Sequence, residues 1–230
     1  MFALLSTNTS YASLVRPFVA WAPVVYLSHI SSPFRYLAPM TDFLRQVGNR
    51  FVPSSAIISS LSHPLCRLLT LESLCTNALF LFGGFDLEHL NRSRLATYFH
   101  FTPATASTWQ IVHYLQLINS HRFTAFNYGS EAANRARYGA DHPTPPEYPL
   151  QRIPPSMPMM IVRSSNDYLS SIPDTDRLLK ELRARGEEAA GNVHSYLVPD
   201  PVWAHLDFPL GTEAGSLVYD PTIEYLDRFV

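Results

Sequence analysis

The sequence holds no run of about 20 apolar residues, so nothing in it has the length of a membrane-spanning helix. Its start, Met1-Phe-Ala-Leu-Leu5, has no basic residue ahead of a longer apolar stretch and does not read as a signal peptide. Net charge is only -2 with acids and bases interspersed, which argues against a nucleic-acid-binding surface. His89, His100, His113 and His121 show no ligand spacing such as His-Glu-x-x-His, so no zinc site is expected. Internal repeats and low-complexity tracts are also missing. None of the nine glycines is followed two positions later by serine. The Gly-x-Ser-x-Gly turn, which lifts a nucleophilic serine to the top of a sheet, is therefore not in this sequence.

What is present suits one globular body with an inserted subregion: 230 residues, 47% of them hydrophobic, and 19 prolines that favour many short elements over a bundle. The organising stretch is 157–208. Met157-Pro-Met-Met-Ile-Val162 is short, apolar and bounded by turn residues, as a buried strand is. It runs into Arg163-Ser-Ser-Asn-Asp167, which sets a carboxylate just beyond the strand. A helix pattern begins at Asp174, read as its N-cap, with Leu178, Leu179 and Leu182 on one side. A second strand pattern, Val193–Val198, leads to His205-Leu-Asp-Phe208. Strand, Asp, helix, strand, His is the closing order of an α/β-hydrolase, in which a carboxylate orients a histidine that relays the nucleophile's proton. His194 lies inside a strand, and Asp207 stands too close to His205 to come from a separate strand; neither is favoured.

Earlier in the chain, residues 2–6 read as helix and Phe18–Trp21 as a strand core between Pro17 and Pro23. Helical patterns recur over 34–47, 54–61, 71–82, 93–99 and 106–119, an insertion suited to a lid. Residues 122–127 read as extended, 138–155 and 185–191 as loops, and Val218–Val230 as a helix with Ile223, Leu226, Phe229 and Val230 facing inward. Cys66 and Cys75 on one continuous helix would stand roughly 13 Å apart, too far to bridge, whereas a break at Thr70 would let them meet. Two free buried thiols are the other option.

Several of these stretches resemble the acid lipases, the family of gastric and lysosomal acid lipase. They are His205-Leu-Asp-Phe208, Asn166-Asp167-Tyr-Leu169, Ala78-Leu-Phe-Leu-Phe-Gly-Gly-Phe-Asp86, Asn91-Arg-Ser-Arg-Leu95 and Phe126-Asn-Tyr-Gly-Ser130. The matches fall in order over nearly the whole chain. Ser164-Ser165 stands where that family usually has glycines, and the 185–191 loop looks longer. Phe2–Asn8 is similar to the helix after the family's nucleophile, so the chain is expected to be an N-terminally truncated fragment, inactive alone, without its serine.

The resemblance implies a partial α/β-hydrolase fold with an inserted helical cap: 1–30 and 126–230 as core and 31–125 as cap. It implies Asp167 and His205 as catalytic residues and a Cys66–Cys75 disulfide, worth about 2–3 kcal/mol by loop closure. Tyr98, Phe99, Phe101, Trp109 and Tyr114 are candidates to line an acyl site, and His100 falls near the family's substrate region. Asn91 coincides with a family glycosylation sequon; Asn8-Thr-Ser10 is a second sequon. The expected activity is hydrolysis of triacylglycerol or steryl ester at a transient lipid interface, in a secreted or lysosomal setting and with no cofactor. The alternative is a lipid-binding or interaction protein that keeps the fold without the nucleophile.

Overall fold

A computed structural model describes residues 1–15, 17–46, 80–86, 88–94, 97–98 and 106–230. Three parallel strands position everything else. The central one, β2 (Met159–Arg163), lies between β1 (Phe18–Trp21) and β3 (Val193–Leu197), in register through Val19–Met160 and Val162–Tyr196. Met159 to Val162 are at most 1% exposed, as a parallel strand covered on both faces requires. Its side chains alternate between two cores. Met159 and Ile161 join Leu5, Leu178, Leu182 and Val193 on one face. Met160 and Val162 join Trp203, Phe208, Val218 and Tyr225 on the other.

The helix Ile172–Arg183 follows β2 and buries Leu178, Leu179 and Leu182, the side the sequence pattern chose. Its N-cap is Ser171, not Asp174: the serine side chain accepts the Asp174 N–H at 3.4 Å, and Pro173 sits in the first turn where its missing donor costs nothing. Asp174, inside that turn, accepts the Ser171 hydroxyl at 3.0 Å and the His29 backbone N–H at 2.8 Å.

The predicted helix over 34–47 is, in its described part, helix Phe34–Leu37, a 3-10 turn Ala38–Met40 and helix Thr41–Gln46; Pro39 interrupts the ladder. These pieces pack with Leu27 and Ile30 against the helix Thr108–Ser120. Residues 122–127 contribute one antiparallel bridge, Thr124–Glu147. Three helices stand where none was read: Glu131–Tyr138, capped by the Ser130 hydroxyl, Glu187–Asn192 inside the presumed 185–191 loop, and the single turn Asp207–Leu210. The C-terminal helix is broken into a π turn Gly215–Tyr219, a helix Asp220–Leu226 and a 3-10 turn Asp227–Phe229. That wide turn shifts the helical phase. Ile223 and Phe229 are consequently 53% and 44% exposed rather than inward, Val230 is fully exposed, and Val218 and Tyr225 make the core contact instead. Of the predicted helix 93–99, Arg92–Arg94 forms a 3-10 turn. The predicted helix 54–61, most of 71–82, Cys66 and Cys75 lie outside the described residues.

Because Ile161 is fully buried in the middle of the sheet, Ile161→Ala is expected to cost about 2–5 kcal/mol, read as a lower urea midpoint at unchanged slope.

Candidate active site

Beyond the C-terminal ends of β2 and β3, two loops face each other, the place where open parallel sheets hold their ligands. Asp167 is on the first. Its Oδ1 accepts the backbone N–H of Leu169 at 2.8 Å and of Ser170 at 2.7 Å, a local turn that fixes the carboxylate. Its Oδ2 lies 2.8 Å from His205 Nδ1 on the second loop. The Asp167 side chain is fully buried and that of His205 is 23% exposed. A carboxylate held this way accepts a hydrogen bond from Nδ1–H and so leaves Nε2 as the basic nitrogen, and the pair can act as an oriented general base.

The contact is built by main-chain clamps. Gly83, at the end of a helical stretch, offers one carbonyl to two loops: Tyr168 N–H at 3.3 Å and His205 N–H at 3.1 Å. The Asn166 side-chain amide donates to Phe85 O at 2.8 Å and to Val202 O at 2.7 Å, tying the Asp loop to both other segments. Gly84 sits at φ +119°, and a Cβ there would come 2.3 Å from Asn166 O and 2.9 Å from Ala204 Cβ.

Beneath His205 lies a second buried group. Asp86 accepts the backbone N–H of Glu88 at 2.7 Å and of His89 at 3.1 Å, and pairs with His89 Nδ1 at 2.5 Å. His89 Nε2 faces Asp200 at 3.3 Å and Glu213 at 3.6 Å. Asp207 accepts the Ala204 N–H at 2.6 Å, and ligand-type atoms of Asp86, His89 and Asp207 lie within 4.8 Å of one another. Asp86 and His89 are bonded to each other and Asp207 to the Ala204 N–H, and we assign the three no ion. Burial opposes the charge on Asp86, but hydrogen bonds from His89 and from its own turn hold its carboxyl below the usual range. Burial also opposes the His89 cation, yet Asp86 foremost, then Asp200 and Asp207, raise its pKa. Burial and the facing Asp86 push Asp207 up to about 7.

Of the residues expected to line an acyl site, Tyr98, Trp109 and Tyr114 are among the described residues. Tyr114, from the helix Thr108–Ser120, is half-buried against Phe34 at 5.7 Å, its hydroxyl oxygen enclosed with no hydrogen-bond partner among the described residues. Its pKa is raised by burial and then by the charge of Asp167. Trp109 is 45% exposed and packs on Phe126 at 5.1 Å, away from the Tyr114–Phe34 contact. Tyr98 is half-buried; Phe99, His100 and Phe101 lie outside the described residues. Asn91 opens the turn Arg92–Arg94, its side-chain oxygen accepting the Ser93 hydroxyl at 2.6 Å. The Asp86–His89–Asp207 group and the Asn166 clamp were not singled out by sequence. The Asp-x-x-His spacing of 86 and 89 was a usable signal for part of that group.

No family model matches the chain. Mouse gastric triacylglycerol lipase is 32% identical over 227 residues, 96% of this chain and 54% of the relative. Rat lysosomal acid lipase/cholesteryl ester hydrolase is 29% identical over 231 residues, 99% of this chain and 55% of that protein. Lipase 3 of Drosophila melanogaster is 29% identical over 233 residues, covering 98% and 56%. The chain thus spans about half the length of these relatives.

Gly84 and Gly139 both have positive φ, but a Cβ at Gly139 would meet nothing within 4 Å. Gly139→Ala is expected to cost about 1–3 kcal/mol of backbone strain alone. Gly84→Ala should cost visibly more in denaturant unfolding and should speed hydrogen exchange at the His205 amide, whereas Gly139→Ala should leave that amide unchanged.

Proposed function

The chain belongs to the acid lipase family, and from that membership we propose that it supplies the base and the orienting acid of a serine ester hydrolase acting on triacylglycerol or steryl ester. The reading is carried by the 2.8 Å contact between Asp167 Oδ2 and His205 Nδ1 at adjoining strand ends. In this mechanism Nε2 of His205 takes the proton from a serine hydroxyl as its oxygen attacks the ester carbonyl, then returns it to the departing alcohol. Water repeats the sequence on the acyl-enzyme and frees the acid. Asp167 keeps the imidazole in the tautomer whose Nε2 is free and stabilises the cation formed at each step. We assign the nucleophile to no residue of this sequence, which has no Gly-x-Ser-x-Gly.

The same proposal makes 1–30 and 126–230 parts of an α/β-hydrolase core and 31–125 its cap. Tyr114 is the cap residue with the best support for meeting substrate, because its unpartnered hydroxyl is buried where the charge of Asp167 reaches it. A Cys66–Cys75 disulfide, glycosylation at Asn91 and a secreted or lysosomal setting belong to this reading. No described helix is long and apolar enough to cross a membrane, so contact with lipid would be interfacial. The alternative reading is a lipid-binding protein without turnover.

A chimera tests both. These 230 residues would replace the matching stretch of mouse gastric triacylglycerol lipase, whose remaining part would, on this reading, have to supply the nucleophile. The chimera is expected to hydrolyse tributyrin and to lose about 10⁴-fold in kcat on Asp167→Asn, with at least as much lost on His205→Ala. A folded chimera whose turnover ignores both substitutions would remove the hydrolase reading. One that binds emulsion but turns nothing over would favour the alternative.

A further inference from the structure

We infer that the hollow between residues 125–128, residues 146–152 and the helix Glu131–Tyr138 binds a singly charged amphiphilic carboxylate, its head on Arg137 and Arg152 and its apolar body along Phe126, Tyr128 and Tyr148. The inference comes from shape and charge and does not need the hydrolase reading; on that reading, the acid released from the ester belongs to the same chemical class. No residue of the loops that carry Asp167 and His205 lines the hollow, so it is separate from the candidate active site.

The hollow offers about 580 Å³, within the roughly 300–1,000 Å³ typical of small-ligand sites. Its walls are held in place by their own bonds. The Ala125 N–H donates to Pro146 O at 2.9 Å and the Tyr148 N–H to Phe123 O at 2.9 Å, which stitches the two strips together. Asn134, buried on the helix, accepts the Tyr128 N–H at 2.9 Å and donates to Asn127 Oδ1 at 3.2 Å and Pro143 O at 3.1 Å. The Tyr138 hydroxyl donates to Phe126 O at 2.7 Å. The rings brace one another as well, Phe126 on Tyr128 at 5.0 Å, Tyr128 on Tyr138 at 5.8 Å and Tyr148 on Phe123 at 4.8 Å. A wall of fixed rings loses little side-chain freedom when a ligand lies on it.

Charge decides the head group. Neither Arg137 nor Arg152 has a hydrogen bond or ion pair at its guanidinium among the described residues, whereas Arg135 on the same helix is held by Glu131 and by the Ala140 carbonyl. Glu147 is the only acid in the described lining, and it is paired with Arg122. Two arginines and one glutamate, with His113 neutral, leave the lining one positive charge in excess, the complement of a single negative charge. A guanidinium meets a carboxylate through two parallel bonds. Tyr148 adds a donor: its hydroxyl makes no hydrogen bond among the described residues, and burial, then the nearby Tyr128, raises its pKa and keeps it protonated. Both arginines are exposed, so an ion pair alone would be weak in water. The ring-lined wall therefore has to supply part of the affinity, which selects an anion with an apolar body over a small hydrated one.

The test titrates the 230-residue chain by calorimetry with decanoate, kept below its micellar range, and with decanol as the uncharged match. Decanoate is expected to bind at least about tenfold more tightly than decanol and to shift the ring resonances of Tyr128 and Tyr148. Arg137→Ala and Arg152→Ala should each weaken decanoate about tenfold and leave decanol unchanged. Arg135→Ala, which removes a positive charge from the same helix outside the hollow, should leave decanoate binding as it was. Tyr148→Phe should weaken decanoate, by less than either arginine variant in the hollow. Equal binding of decanoate and decanol overturns the proposal, as does decanoate binding that ignores Arg137 and Arg152 or leaves the Tyr128 and Tyr148 resonances unmoved. Every readout is an equilibrium one without ester turnover, so failure of the hydrolase reading and failure of this site are told apart.

Discussion

Asn166 donates its side-chain amide to two carbonyls, one 81 residues earlier at Phe85 and one 36 residues later at Val202. Each such bond is worth about 1 kcal/mol net, a small sum for what it fixes. Asp167 and His205 stand 38 residues apart on loops that leave different strands, and loops of this kind wander unless something joins them. The joining is done by that amide and by the Gly83 carbonyl, which collects an N–H from the residue after Asp167 and from His205 itself. The 2.8 Å side-chain contact follows from these main-chain appointments.

The structure solves one problem three times. A buried aspartate accepts backbone N–H groups and pairs with the Nδ1 of a histidine: Asp167 with His205 at 2.8 Å, Asp86 with His89 at 2.5 Å and Asp174 with His29 at 3.0 Å. A dry carboxylate needs such company. The three differ in where the imidazole ends. His89 is 5% exposed at the side chain and enclosed by further carboxylates, and His29 is 60% exposed beside a helix start. Only His205, at 23%, combines partial access with a place at the strand ends. Pairing alone would have nominated three sites; position selects one.

How much of this was legible follows from how local each cause is. The β1 limits, Phe18–Trp21, came out of Pro17 and Pro23, and β2 and β3 came out of apolar runs with turn residues at their ends. The Asp-then-His order could be read because it is a matter of sequence alone. The helix Glu131–Tyr138 had a cap signal in Ser130 that was passed over, and Glu187–Asn192 holds only six residues with a glycine among them, too weak a periodicity to see. The π turn at Gly215–Tyr219 has no sequence signature of this kind, so the inward face after it was assigned out of phase. Asp207 was judged only as a rival orienter of His205. Its real neighbours, Asp86 and His89, come from a distant segment, and no spacing rule brings them together.

The clamps also bear on how far such a chain can drift. Their acceptors at positions 83, 85 and 202 are peptide oxygens, which every amino acid carries. Phe85 and Val202 can therefore be exchanged for other residues of similar bulk without dismantling the joint, while Asn166 and Gly84 cannot. A lineage is thus free to rewrite much of the lettering around the two loops and still keep their geometry.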